Sequence, residues 1–315
     1  MKLFRLCLLI LIAVNAFGQN KTIALTFDDL PYATMKGDPS EVDAARHDIA
    51  AILAVLKAHH APAIAFVNEV KLQYPNQLDA RVALLDEWLD GGVPLGNHTY
   101  SHKDMNHTPL PEFEAEVIRG EVITRRLMNS RGLEYKYFRH PFLRTGATLA
   151  DKNAFEAFLK ERGYVVAPVT LENLDWLYNT VYVSALKGAD RELQNRVLAA
   201  YIDQTNTHLD YYEKMTRDLF GHDIATVMLL HSNHINSVML DKVLTTFESH
   251  GYKFVTIEEA LKDPAYQTAD NYTGPYGYPW QHRWAITLGK DPDFKNAPDP
   301  PKWMMDLYNQ AIKGN

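Results

Sequence analysis

The run Thr22-Ile23-Ala24-Leu25-Thr26-Phe27, followed by Asp28-Asp29, reads as a short apolar strand that stops on two carboxylates. The same theme recurs along the chain. Glu41–His59 has helical periodicity, Ala63–Val67 is again strand-like, Gln77–Asp90 is helical up to a Gly91-Gly92 stop, and Val93–Gly96 is a short strand. Glu112–Arg131 is the next helix, with Gly132 at its end. Tyr135–Phe138, Tyr164–Val169, Ala225–Leu230 and Lys253–Thr256 read as further strands, with helices over Asp151–Arg162 and Val238–Ser249. Six or seven strand-then-helix units predict an α/β fold, a barrel of parallel strands. Two segments fall outside the repeat: a polar, periodic helical insertion at 185–220, and a tail at 264–315 rich in Pro, Tyr, Trp and Gly. Periodicity returns in the tail only at Trp303–Lys313. The tail is expected to pack on the barrel, because Tyr276, Tyr278, Trp280, Trp284 and Trp303 are costly to leave in water.

The 315 residues are 46% hydrophobic and 23% charged, enough for one large α/β domain or two small ones. Lys and Arg number 32 against 39 Asp and Glu, a formal charge of −7, and no basic block is present to track a phosphate backbone. Nucleic acid is therefore not an expected partner. Lys2 and Arg5 precede the apolar run Leu6–Val14, which is too short to span a membrane, and the small residues Ala16 and Gly18 come next. This predicts an export signal over residues 1–18, a main domain over 19–263, the tail beyond, and a product without a membrane anchor in a periplasm or outside the cell. The one cysteine, Cys7, lies within that signal, so disulfides, Cys-ligated metals and thiol nucleophiles are excluded from the processed chain. No protein partner is predicted.

Chemistry is expected where barrel enzymes carry it, at the C-terminal ends of the strands. Asp28 and Asp29 end the first strand; alone they would read as a turn or helix cap, but one carboxylate can bind a metal while its neighbour faces the water that the metal activates. Asn97-His98-Thr99-Tyr100-Ser101-His102 comes after another strand, and two His four apart on one helical turn can grip a single cation. Joined by a carboxylate they form a His-His-Asp set suited to zinc, although cobalt, nickel, iron or manganese accept the same donors. Arg139-His140-Pro141-Phe142 ends a third strand, where the guanidinium could orient a carboxylate or simply make a surface ion pair. Asp175-Trp176 and Val227-Met228-Leu229-Leu230-His231 end two more. Asn68 and Asn233 lie near strand ends and are candidates for substrate contact or ordinary turns. His47, His59, His60, His107, His208, His222, His234 and His282 belong to no motif and read as structural or surface residues.

At these residues the sequence resembles the polysaccharide deacetylase family, also called the NodB-homology or carbohydrate esterase four family, from about Lys21 to Leu261. The resemblance implies a distorted (β/α)7-type barrel, here with a helical insertion and an aromatic, Pro-rich C-terminal extension. Thr26-Phe27-Asp28-Asp29 is similar to the first motif, which makes Asp28 the general base and Asp29 a metal ligand. His98 and His102 match the two histidines of the second. Arg139 and Pro141 match the third: the Arg orients the base and the N–H of Phe142 helps bind the oxyanion. Asp175-Trp176 looks like the fourth, Asp175 partnering the catalytic histidine and Trp176 walling the groove. Leu229 and His231 match the fifth, as the acetyl-pocket wall and the general acid. His140 and the Leu143 after Phe142 depart from the usual wording of the third motif, which bears on the shape of the substrate groove.

The expected activity is removal of N-acetyl groups from a peptidoglycan- or chitin-like oligo- or polysaccharide, with one divalent ion, Zn2+ or alternatively Co2+ or another. O-acetyl esterase activity on a xylan-like polymer and glycan binding without turnover are the alternatives. Arg139 is expected to favour the ionised form of Asp28, and Asp175 the protonated form of His231.

Overall fold

A computed structural model describes residues 21–36 and 38–313; the segment read as an export signal lies outside them. Strand β1, Thr22–Leu30, is the centre of the sheet and pairs in parallel with both β2, Ala63–Val67, and β7, Thr226–His231. Outward from β2 come β3, Leu95–Asn97, β4, Tyr137–Phe138, and β5, Val165–Val166; outward from β7 comes β6, Leu171–Glu172. A last strand, β8, Lys253–Phe254, joins the first residues of β1. Every pair is parallel, and the strands with the helices around them make the distorted, incomplete barrel that the resemblance implies. The ladder runs from β5 to β6 without closing, so those two strands face each other across a seam. The carbonyls of Val169 and Thr170, between them, accept instead from the backbone N–H of Trp280 and the side-chain amide of Gln281, each at 2.7 Å.

The two-residue alternation of a strand sorts the side chains. Ile23, Leu25 and Phe27 of β1, Ala65 and Val67 of β2, and Met228 and Leu230 of β7 join the main core beneath the helices, while Ala24, Ile64, Phe66 and Val227 pack together on the inner face. The barrel is narrow there. A Cβ on Gly96 would stand 2.6 Å from the Phe66 ring and 2.9 Å from the Tyr137 carbonyl, so only glycine fits. The same parity carries on to the strand ends: Asp28 follows Ala24 and Thr26, His98 follows Gly96, Arg139 follows Tyr137, and His231 follows Val227 and Leu229. Helices α1, Ser40–Ala58, and α2, Leu78–Asp90, cover the outer face. Burial of Phe27 against Trp88 of α2, with ring centroids 5.3 Å apart, anchors this layer.

Several boundaries differ from the sequence reading. The helix expected over Glu112–Arg131 is two, α3, Leu110–Arg119, and α4, Val122–Ser130, because a Cβ at Gly120 would strike the Thr99 backbone at 2.5 Å and the chain breaks where it passes the 97–102 loop. Helix α5, Leu149–Glu161, lies close to where periodicity places it. The strand expected at Tyr164–Val169 shortens to β5, and β6 has no counterpart in the sequence reading. The insertion expected at 185–220 is mostly the 30-residue α7, Arg191–Phe220, whereas α6, Asp175–Lys187, begins ten residues before it and has no counterpart in the sequence reading. Helix α8, His234–Ser249, begins four residues earlier than expected, where the Asn233 side chain caps the Asn236 N–H. A single turn, α9, Ile257–Ala260, capped by Thr256, closes the repeat. In the tail, Trp280–Thr287 is a helix, α10, although its residues show no clear amphipathic period; nearly all of it is buried, so no polar face marks it. Trp280 and Trp284 are buried, whereas Tyr276 stays 60% exposed. Helix α11, Lys302–Lys313, lies against α6.

Candidate active site

Asp28 and Asp29 would point to opposite faces of a regular strand. The register of β1 against β2 shifts between Phe27 and Leu30, and Asp29 takes a left-handed backbone, φ 69°, so both carboxylates reach the same cleft. The 98–102 segment is not the helical turn that the four-residue spacing suggests. It is an irregular loop with positive φ at Thr99 and His102, held by the Asn97 carboxamide, which accepts from the Thr99 N–H at 2.7 Å. That bend brings the two imidazoles together by another route, with centroids 4.8 Å apart.

Asp29 Oδ1 stands 3.5 Å from His102 Nε2 and 3.8 Å from His98 Nε2, close to the ~3.4 Å between donors of one tetrahedral ion with ~2.1 Å bonds. One donor atom from each residue lies within 4.8 Å of the others. Three observations suit a cation. Asp29 Oδ1 is buried with no hydrogen-bond partner; His98 Nδ1 lies 2.8 Å from the Arg139 carbonyl, to which it donates, leaving Nε2 with a free lone pair; and burial, the dominant influence, lowers both histidines to about 4, so their rings are neutral ligands. Burial by itself would raise the Asp29 carboxyl, but the Lys71 ammonium, 3.7 Å away, leads the influences that outweigh it and keep Asp29 ionised. Lys71 also donates to the Asp29 carbonyl at 2.8 Å, which fixes the bulge.

Asp28 lies behind this trio, Oδ2 3.7 Å from His98 Nε2 and 3.3 Å from Arg139 Nη1. The wholly buried guanidinium is spread over three partners: Nη1 on Asp28, Nη2 on the Thr26 hydroxyl at 2.9 Å, Nε on the Ala167 carbonyl at 2.7 Å. As expected, the Arg139 charge favours the ionised form of Asp28, but it does not decide the balance. Burial raises the Asp28 pKa and Arg139 only partly opposes it, since the contacts between them are long. The result is a stronger base than an exposed carboxylate.

Across the cleft, Asp175, at the start of α6, takes the His231 backbone N–H and its ring Nδ1–H, both at 2.7 Å, together with the amides of Asn233 and Asn236. Burial disfavours an imidazolium, but the Asp175 charge and hydrogen bond prevail and raise His231 to about 9. Its Nε2 is left to the cleft.

The cleft has a volume of about 540 Å³ and brings together Asp28, Asp29, His98, His102, Phe142, Trp176, Leu229 and His231. Phe142 is 51% exposed, with its ring edge-on to His102 at 4.4 Å, and Trp176 is 42% exposed, edge-on to Tyr308 of α11 at 5.6 Å. Arg139, Asp175 and Pro141 are buried behind the lining. Asn68 and Asn233 do not reach it: Asn68 donates to the His98 carbonyl and Asn233 serves Asp175. Sequence reasoning missed Glu172, Leu174, Arg144, Gly277 and Tyr308, which also line the cleft. Glu172 pairs with Leu229 across β6 and β7, so strand parity would have marked it had β6 been recognised. Nothing local pointed to Gly277.

Comparison with known proteins finds likeness to deacetylases. Residues 17–157 match the family model described as Polysaccharide deacetylase. The chain is 24% identical over 242 residues to the peptidoglycan-N-acetylglucosamine deacetylase of Bacillus cereus, covering 75% of this chain and 66% of that protein, so it spans just under two thirds of that relative's length. It is 25% identical over 247 residues to the chitin deacetylase of Colletotrichum lindemuthianum, covering 76% and 79%. The solved chitin deacetylase from the same fungus shares the fold, with a TM-score of 0.53 at 22% identity over 78% of this chain and 89% of that one.

Proposed function

We propose that this chain, whose residues 17–157 match the polysaccharide deacetylase family model, is a member of that family and an exported, metal-dependent hydrolase that removes acetyl groups from the amino sugars of a peptidoglycan- or chitin-like glycan. The observation that carries the reading is the meeting, around one cleft, of a His-His-Asp donor set, a buried carboxylate base and a histidine held as an acid. Asp29, His98 and His102 would hold the ion. Zinc is the best match to two imidazoles and a carboxylate, and a divalent cation held there would supply Lewis acidity to the acetyl carbonyl and to a water.

The chain's own groups do the rest. Asp28, kept in orientation by Arg139, takes the proton of the attacking water, and its raised pKa suits that role. The Phe142 N–H donates to the oxyanion that forms; loss of one such donor typically costs about 2.7–4 kcal/mol. His231, protonated at neutral pH, gives its proton from Nε2 to the departing amine while Asp175 balances the imidazolium charge. Leu229 bounds the acetyl methyl and Trp176 the sugar ring. On this reading residues 1–18 are the export signal, 19–263 the catalytic domain and 264–315 an extension packed on it.

Acetate release from N-acetylchitooligosaccharides and from peptidoglycan is expected with the purified chain, abolished by a chelator and restored by added zinc or cobalt. Binding of these glycans without acetate release would overturn the hydrolase reading. Turnover of acetylated xylan alone would move the substrate from amide to ester, and in that case His231→Ala should cost little, because an alkoxide leaves with less help than an amine.

A further inference from the structure

Phe142 and Leu143 both have left-handed backbones, φ 56° and 53°, in a turn that places the Phe142 ring in the cleft against His102. Neither is glycine, so the conformation persists only if its surroundings impose it. The turn's own contacts are few: the Leu143 N–H reaches the His140 carbonyl and the Arg144 N–H the Pro141 carbonyl. What imposes the conformation comes from the tail. Gly277 lies so close that a Cβ there would stand 1.5 Å from the Phe142 carbonyl oxygen, and its φ is not what requires glycine; the contact is. Arg283 of α10, fully buried, donates from Nη1 to the Leu143 carbonyl at 2.9 Å and from Nη2 to the Thr145 hydroxyl at 2.5 Å. Asp270 pairs with Arg283 at 2.5 Å and the guanidinium lies 4.2 Å from the centre of the Trp280 ring. A third tie runs through Asn106, which accepts from the Gly146 N–H and donates to the Gly274 carbonyl, both at 3.0 Å.

We propose that the extension beyond residue 263 is part of the catalytic apparatus, with Arg283 as a positioning residue and Gly277 as a backbone stop that together hold the Phe142–Leu143 turn in its reactive shape. A planar guanidinium with donors in a fixed fork sets two acceptors relative to each other in a way that a lysine cannot. The tail thereby acts on turnover through Phe142 and Leu143, not through the ion, since neither Arg283 nor Gly277 touches Asp29, His98 or His102. The inference rests on the hydrolase reading for its kinetic consequences, while the shape of the turn can be read without turnover.

Gly277→Ala, Arg283→Met and Arg283→Lys, each in the full chain, test it with three readouts: kcat and KM on N-acetylchitooligosaccharides, zinc affinity, and the 19F signal of 4-fluorophenylalanine placed at position 142. Gly277→Ala, on a partly exposed stretch, is expected to lower kcat about tenfold or more with KM and zinc affinity within about twofold, and to shift the 19F signal. Arg283→Met should do the same more strongly, with at most partial rescue by Arg283→Lys. If Arg283→Met fails to fold, Gly277→Ala decides. Wild-type kcat and an unmoved 19F signal in Gly277→Ala would overturn the proposal. A wild-type chain that releases no acetate counts against the hydrolase reading, whereas a 19F shift in the variants still supports the role of the tail.

Discussion

His231 is fastened to Asp175 at its ring and at its backbone, and the pairing has a sign that can be checked. A histidine held to about 9, against about 6.5 unfolded, binds its proton more tightly in the folded state. That contribution to stability is complete below about pH 6.5 and is lost as the pH climbs to about 9. NMR titration of the metal-free protein should show the His231 ring protonated at pH 7.5, and Asp175→Asn should bring its midpoint below 7; an unchanged midpoint in the variant would mean that Asp175 does not hold the proton there. Asp28, His98, Arg139 and His231 were legible at this scale because each ends a strand on the same parity. The conformations were not. Asp29, Thr99, His102, Phe142, Leu143 and Leu174 all have positive φ around one cleft, and no residue type among them announces it. Such backbone costs roughly 1–3 kcal/mol per residue and is imposed by tertiary contacts that a linear string does not display.

Helix α7, legible in the sequence as a helical departure from the repeat, supplies a buried support for the acid side of the cleft. The Tyr201 hydroxyl donates to Asn236 Oδ1 at 2.7 Å and accepts from the Asn173 amide at 2.9 Å; Asn236 in turn donates to Asp175 Oδ2 at 2.6 Å. Tyr201 is therefore three hydrogen bonds from the ring of His231. Tyr201→Phe keeps the packing and leaves two amide groups short of a partner, so a loss of about 1–3 kcal/mol in unfolding free energy is expected. A denaturant melt checks it, and acetate release should fall several-fold beyond what the unfolded fraction explains. Periodicity was enough to mark this segment as helix. It could not say which face meets Asn236, because that depends on how α7 crosses α8 in space.

At the scale of the molecule, the order of strands and helices could be followed from one end of the repeat to the other, since apolar runs and amphipathic stretches alternate with few exceptions. Among the elements the reading missed, β6 is two residues long and α10 is buried on nearly every side, so neither carries a period. Both border the seam between β5 and β6. There, no ladder joins one edge to the other, and Trp280 and Gln281 cover Val169 and Thr170 in place of a neighbouring strand. An uncovered edge invites a foreign strand. A chain ending at residue 263 should accordingly self-associate at concentrations where the full chain is monodisperse, which light scattering would register; a stable monomer would mean that the gap is harmless. Clumping of the shortened chain would make the tail a sentinel that keeps one copy of the fold from stitching itself to the next.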